Sequence, residues 1–221
     1  YTATQHLSIN LLPNLNFGLF ETVVFHRSNQ FELGYLNPII LYRTVEQSAN
    51  SPDNVLLGID LRWDIWQTIS LYGQVVFDEF KLDELILDNQ GWWANKYAMQ
   101  LGLQYINVGG INGLDWRLEY NQARPYTYTH RDSSASYSHY NLPLAHPLGA
   151  NFREWLTEIR YPIGQNLLFE VALLWYNKGE DGEGENWGGN ILISHNSREQ
   201  DYQNSIGQGL SNKVFLTQLS A

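Results

Sequence analysis

The stretch "VLLGIDLRWDIW", Val55 to Trp66, decides the fold class. Val55, Leu57, Ile59, Leu61, Trp63 and Ile65 occupy the odd positions, with Gly58, Asp60, Arg62 and Asp64 between them. Side chains of an extended strand alternate between two faces, so this run presents one oily face and one charged face. A helix would mix the two. Strands of soluble domains average about 5–6 residues, whereas a tilted strand crossing a bilayer needs roughly 9–11 with an apolar outer row. This run belongs to the longer class, so its odd face is expected to meet lipid and its even face a polar lumen.

The same alternation recurs along the chain. After the turn "LLPN", Leu15, Phe17, Leu19, Val23 and Phe25 form an apolar row broken by Glu21. Residues 68–80 follow the opening strand through a tight turn at "DIWQT", and further strands are expected near 95–107, 114–123, 152–161, 166–177 and 212–219. In the run near 95–107, Tyr97 and Tyr105 bracket Met99, Leu101 and Leu103, the pattern expected of aromatic girdles at two membrane interfaces. Short turns, "VGGING" and "PIGQN" among them, alternate with long loops at 28–52, 124–151 and 179–211. In the first of these a short helix or turn is expected around "NPIILYR", and "KLDELILDNQGWW" reads as a further loop. Long loops on one side and short turns on the other are the habit of outer-membrane barrels.

Composition agrees. The 221 residues permit one large all-β domain. With 13 Lys+Arg against 23 Asp+Glu, the net charge of -10 argues against a nucleic-acid partner. Cysteine is absent, which removes disulfides, thiolate metal sites and a Cys nucleophile. Aromatic residues reach 14%, an excess that suits membrane girdles or a sugar-binding surface. No apolar run is long enough for a transmembrane helix. The expected fold is therefore all-β: an antiparallel up-and-down transmembrane β-barrel, or a piece of a larger one, with long extracellular loops. Residues 1–221 are read as a single barrel domain or the C-terminal part of one. A soluble β-sandwich also alternates and is the competing architecture.

The segments "SPDNVLLGIDLRW", "LYGQVVFDEFKLDE", "WWANKYAMQLGLQY", "EYNQARPYTYTH", "HYNLPLAHPLGANF" and "NWGGNI" resemble the capsule assembly Wzi family of outer-membrane β-barrels. The likeness spans most of residues 30–195, and Bacteroidetes-type members of the family include proteins associated with gliding motility. The resemblance implies a large monomeric barrel, about eighteen-stranded, that binds capsular or exopolysaccharide at the cell surface and has no enzymatic role. About ten strands are legible here.

Several groups invite chemistry. His139 and His146 lie in one loop, but their spacing matches no compact metal-ligand motif, and no metal or other cofactor is expected. Asp181, Glu183 and Glu185 alternate in a Gly-rich acidic loop that lacks the pattern of a calcium loop and reads as mobile and solvated. Glycoside hydrolysis needs two carboxylates about 5–10 Å apart across a groove. Asp78 and Glu79 point to opposite faces of a strand, Asp83 and Glu84 are a second adjacent pair, and Glu154 and Glu158 share a face beside Arg160. The mixed charges Asp60, Arg62, Asp64, Asp115, Arg117, Glu119, Glu154, Glu158, Arg160 and Glu170 are expected to line the lumen. In the loops, Tyr126, Tyr128, Tyr137, Tyr140 and Trp187 offer faces on which sugar rings stack, with Arg124, Arg131 and Asn141 placed to bond hydroxyls. Such aromatics also serve to pack loops together. The expected function is non-enzymatic binding of surface polysaccharide in the bacterial outer membrane, as a monomer or within a larger cell-surface complex. A soluble or periplasmic polysaccharide-active enzyme and a passive pore are the alternatives.

Overall fold

The computed structural model describes residues 1–26, 35, 53–79 and 90–221. Nine long strands form one sheet, each antiparallel to its neighbour. In chain order they are β1 (Thr2–Leu12), β2 (Leu15–Val24), β3 (Asn54–Ile65), β4 (Ile69–Glu79), β5 (Lys96–Tyr105), β6 (Asp115–Ala123), β9 (Phe152–Ile163), β10 (Leu167–Glu180) and β11 (Leu210–Ser220). Two short strands, β7 (Ser138–His139) and β8 (Leu142–Pro143), make a separate hairpin between β6 and β9. Strands neighbouring in sequence are neighbours in space throughout the large sheet, with β1 and β11 at its two edges.

Several expectations are corrected in detail. Strand β1 was not anticipated, although Thr4, His6, Ser8 and Asn10 alternate with Leu7, Ile9 and Leu11 and only Gln5 interrupts the apolar row. Strand β10 runs on to Glu180 and β11 begins at Leu210, so the last long loop is 181–209 rather than 179–211. Nearly all of 28–52, including "NPIILYR", lies outside the described residues, as do most of "KLDELILDNQGWW", Asp83 and Glu84.

The register aligns one apolar row across the whole sheet. Ile9, Phe17, Leu61, Gly73, Leu101, Tyr120, Trp155, Trp175 and Phe215 pair in turn from β1 to β11. Eight of these nine positions are large and apolar, yet nothing covers the row well: Leu101 is 51% exposed, Trp155 46% and Phe215 65%. Isolated exposed apolar residues are ordinary, but a contiguous band is not. The opposite face carries a polar row, Asp60, Gln74, Gln100, Asn121 and Glu154.

Burial is concentrated at the long-loop end. On the polar face there, Ala98 and Ala123 pair directly, and their small side chains leave room for Tyr128 of the loop after β6 to pack with Leu56, Ala150, Phe152 and Ile191. A second cluster, Val23, Phe25, Tyr35 and Val55, lies at the same end. The hydrophobic core therefore fastens loops to a sheet end rather than one sheet to another.

Candidate functional site: the polar face and its loop cap

All ten acidic and basic residues expected to line a lumen stand on the polar face, because each occupies the register position that the pleat assigns to it. They satisfy one another. Arg117 contacts Glu119 at 2.6 Å and Glu158 at 3.4 Å, Arg160 meets Glu170 at 2.7 Å, and Arg62 meets Asp64 at 3.1 Å. Asp60 bonds His6 of β1 at 2.7 Å, and Asp115 accepts from the Asn107 amide.

Above this ion-pair zone, amide side chains continue the network across four strands and into the loop. Gln74 donates to Gln100 at 3.2 Å, and Gln100 to Glu119 at 3.0 Å. Asn121 donates to both Glu119 and Glu154 at 3.0 Å, and His146 meets Glu154 at 3.2 Å. His146 also stacks on Phe152, with ring centroids 4.5 Å apart, which seats the loop over the sheet. Cavities of about 300, 460 and 540 Å³ run along this face, and Gln100 borders all three.

The loop cap is held by buried polar groups. Lys96 and Asp78, both without solvent exposure, pair at 3.7 Å. The Lys96 ammonium donates to the Thr129 carbonyl at 2.9 Å and lies 3.3 Å from His195 Nδ1, while Asp78 accepts the Tyr128 amide at 2.8 Å. Trp93 is the hub of this anchor, with the Arg198 guanidinium 4.1 Å and the His195 ring 4.7 Å from its own ring. Asn151 ties four segments together: its amide nitrogen reaches the carbonyls of Gly179, Trp187 and Gln208, and its oxygen accepts the Gly207 amide at 2.7 Å.

No family model, curated protein or solved structure matches this chain. Its site must be read from its own geometry.

The loop residues expected to meet sugar divide sharply. Tyr126 is fully buried, donating its hydroxyl to the Asn186 carbonyl at 2.7 Å, and burial pushes its pKa up to about 12. Tyr128 is buried too, and its pKa is likewise raised by desolvation. As the structure places them, both pack loops, and Tyr128 also borders the cavity beneath the loop. Arg124 is half-buried, donating weakly to the Trp92 and Asn204 carbonyls beside the Tyr97 ring. Trp187 is partly covered and donates its indole N–H to Glu185 at 2.7 Å. Arg131, Tyr140 and Asn141 are exposed, Tyr140 at 88%, and Tyr137 is half-buried at the cavity wall. Tyr140 and Asn141, at φ 47° and 61°, form the two-residue turn of the β7–β8 hairpin. Earlier in the same loop, the Ser134 amide and hydroxyl hold the Asp132 carboxyl below its usual pKa.

Three further expectations are resolved by contacts. The acidic loop after β10 is fixed in place, because the Asp181 carboxylate accepts the amides of Trp187, Gly189 and Asn190. His139 packs against Tyr140, whereas His146 belongs to Glu154. Glu154 and Glu158 are engaged by different partners, Asn121 with His146 and Arg117 respectively. Among the described residues no group of three His, Asp or Glu side chains is placed to hold a metal.

Sequence reasoning missed Lys96, Trp93, His195, Arg198 and Asn151, because the partners of each are remote in the chain. It also passed over Gln74, Gln100 and Asn121. Their signal was present: amides recurring on the polar row of three successive hydrogen-bonded strands.

Proposed function

We propose that this sheet is the wall of a β-barrel in the bacterial outer membrane, whose long-loop end binds surface polysaccharide without cleaving it. The observation that carries the reading is the exposed apolar row that crosses all nine strands, back to back with a row of amides and ion pairs. Lipid on one side and a wet, polar interior on the other give both faces the surroundings they require. A two-sheet sandwich would place the apolar row inside, against a second sheet.

The resemblance of "WWANKYAMQLGLQY" and "HYNLPLAHPLGANF" to the capsule assembly Wzi family supports the polysaccharide part of the reading. So does the loop end itself, where aromatic and amide side chains border a cavity under a fixed cap. The partners are capsular or exopolysaccharide and outer-membrane lipid, and the protein works as a monomer or within a cell-surface assembly.

Purification with and without detergent tests the membrane part, read by heat-modifiable gel mobility and far-ultraviolet circular dichroism. Compact β-structure only in detergent or lipid is expected. A stable monomer free of detergent would overturn the proposal. Affinity electrophoresis through gels cast with polysaccharide tests the binding part: retardation without release of shorter fragments is expected, and fragment release would favour the enzyme reading.

A further inference from the structure

We infer that a neutral pyranose unit of the polysaccharide is held in the cavity between the Ser138–His146 stretch and the amide row of the polar face, and not on the exposed loop tip. This rests on the polysaccharide reading and names its site and substrate class.

The cavity, of about 300 Å³, lies at the small end of ligand pockets (roughly 300–1,000 Å³). Gln74, Gln100 and Asn121 form one side, Tyr137 and His146 the loop side, and Phe20 an end wall. Each carboxamide has two donor hydrogens and an acceptor oxygen. The ladder uses one hydrogen of Gln74 and leaves its carbonyl oxygen and second hydrogen for a ligand. Gln100 likewise uses one hydrogen, toward Glu119. A sugar hydroxyl both donates and accepts, so paired amides match it better than a row of fixed charges would.

The charge distribution selects a neutral ring. Among the described residues no Lys or Arg lines this cavity, and the cationic candidate among them, His146, is engaged by Glu154. An acidic sugar would meet Glu154 and Glu119 nearby, with no free cation among the described residues of the cavity wall. Tyr137 and Phe20 supply the flat apolar surface on which pyranose C–H groups pack. Gln100 borders this cavity and the two others on the polar face, so adjoining units of a chain have room beside it.

The two features that make Tyr140 conspicuous, its exposure and its ring, are explained by its place in a two-residue turn. The His139 ring, 4.3 Å away, is its ring contact among the described residues. The ladder beneath, in contrast, is built and held before any ligand arrives, which lowers the ordering cost of binding.

Binding of fluorescent oligosaccharides to the folded, detergent-solubilised protein tests the inference, with neutral glucan, mannan and galactan fragments as probes and oligogalacturonate as the acidic probe. Gln74→Ala removes an exposed rung of the ladder, and Ala145→Trp crowds the cavity from the loop while every ladder residue is kept. Both are expected to weaken neutral-chain binding about tenfold or more with heat-modifiable mobility unchanged, while Arg131→Ala/Tyr140→Ala binds as the parent does. Loss in the tip variant with full binding by the two cavity variants would overturn the site and leave the polysaccharide reading standing. Binding of oligogalacturonate alone would overturn the neutral class. Binding of no probe by the parent would overturn the polysaccharide reading itself.

Discussion

The Tyr72 hydroxyl donates a 2.7 Å hydrogen bond to the Glu119 carboxylate, reaching from β4 to β6. The strand between them is crossed at Gly102, which pairs with both residues in one register row. A Cβ at Gly102 would fall 2.1 Å from the Tyr72 ring, so glycine there is a seat for the aromatic rather than a conformational need. Gly102→Ala is expected to displace the ring, break its bond to Glu119 and destabilise the sheet by about 1–3 kcal/mol. Tyr72→Ala made in the same chain should remove most of the added penalty, and the double-mutant cycle in denaturant unfolding measures that coupling.

Leu101 pairs with Gly73 and Tyr120 in the middle of the apolar row. Leu101→Arg places a charge there, and in a bilayer midplane it should cost about 2–4 kcal/mol. The comparison is folding into vesicles for this variant and for Gln104→Glu on the polar face, which sets a carboxylate opposite Arg117 and should fold normally. Equal folding of the two would contradict a lipid-facing row.

Lys96 and Asp78 form a pair buried on all sides. Removing one partner takes this counter-ion from the other's buried charge, a loss of about 3–5 kcal/mol, whereas replacing both by apolar residues is less costly. Lys96→Met should therefore be more harmful than Lys96→Met/Asp78→Leu. Limited proteolysis of the loop after β6 reads this directly, because Asp78 also holds the Tyr128 amide.

Asn151 is expected to be the least replaceable residue of the cap. Asn151→Ala strands the carbonyls of Gly179 and Gln208 and the Gly207 amide, at about 1–3 kcal/mol for each group left unsatisfied. Asn151→Asp should be worse, since it points an anion at three carbonyl oxygens. Release of the 181–209 loop to protease, with the sheet's circular dichroism retained, is the expected signature.

Alkaline pH should undo the same cap. Burial raises the Tyr126 pKa from 10.0 to about 12, so below pH 10 the phenol is neutral in both folded and unfolded chains and its contribution is intact. From there upward the unfolded chain sheds a proton that the folded one retains, and stability falls as pH rises toward about 12. Tyr128 is shifted in the same direction. Denaturant midpoints measured across this range should decline, and Tyr126→Phe should flatten the decline by its share.

Much of the sheet was legible in the sequence because period two is a local property. Val55 to Ile65 declared its two faces without help from any other strand, and so did Tyr97 to Tyr105 and Trp116 to Tyr120. Strand β1 was passed over although its alternation is present, because Gln5 interrupts the apolar row and leaves only Leu7, Ile9 and Leu11 as an unbroken signal. The loop tyrosines show where local reading ends. Tyr126, Tyr128 and Tyr140 look alike in "RPYTYTH" and "HYN", but two are buried and one is almost fully exposed.

By itself the sequence determined which side of each strand is oily, because alternation follows from backbone geometry alone. It also determined that long loops and short turns gather at opposite ends, because antiparallel neighbours must alternate direction. Only the tertiary structure decided which loop residues are anchors and which face open space. That depends on partners such as Asn151 with Gly207, or Lys96 with His195, distant in the chain and brought together by the register of strands between them.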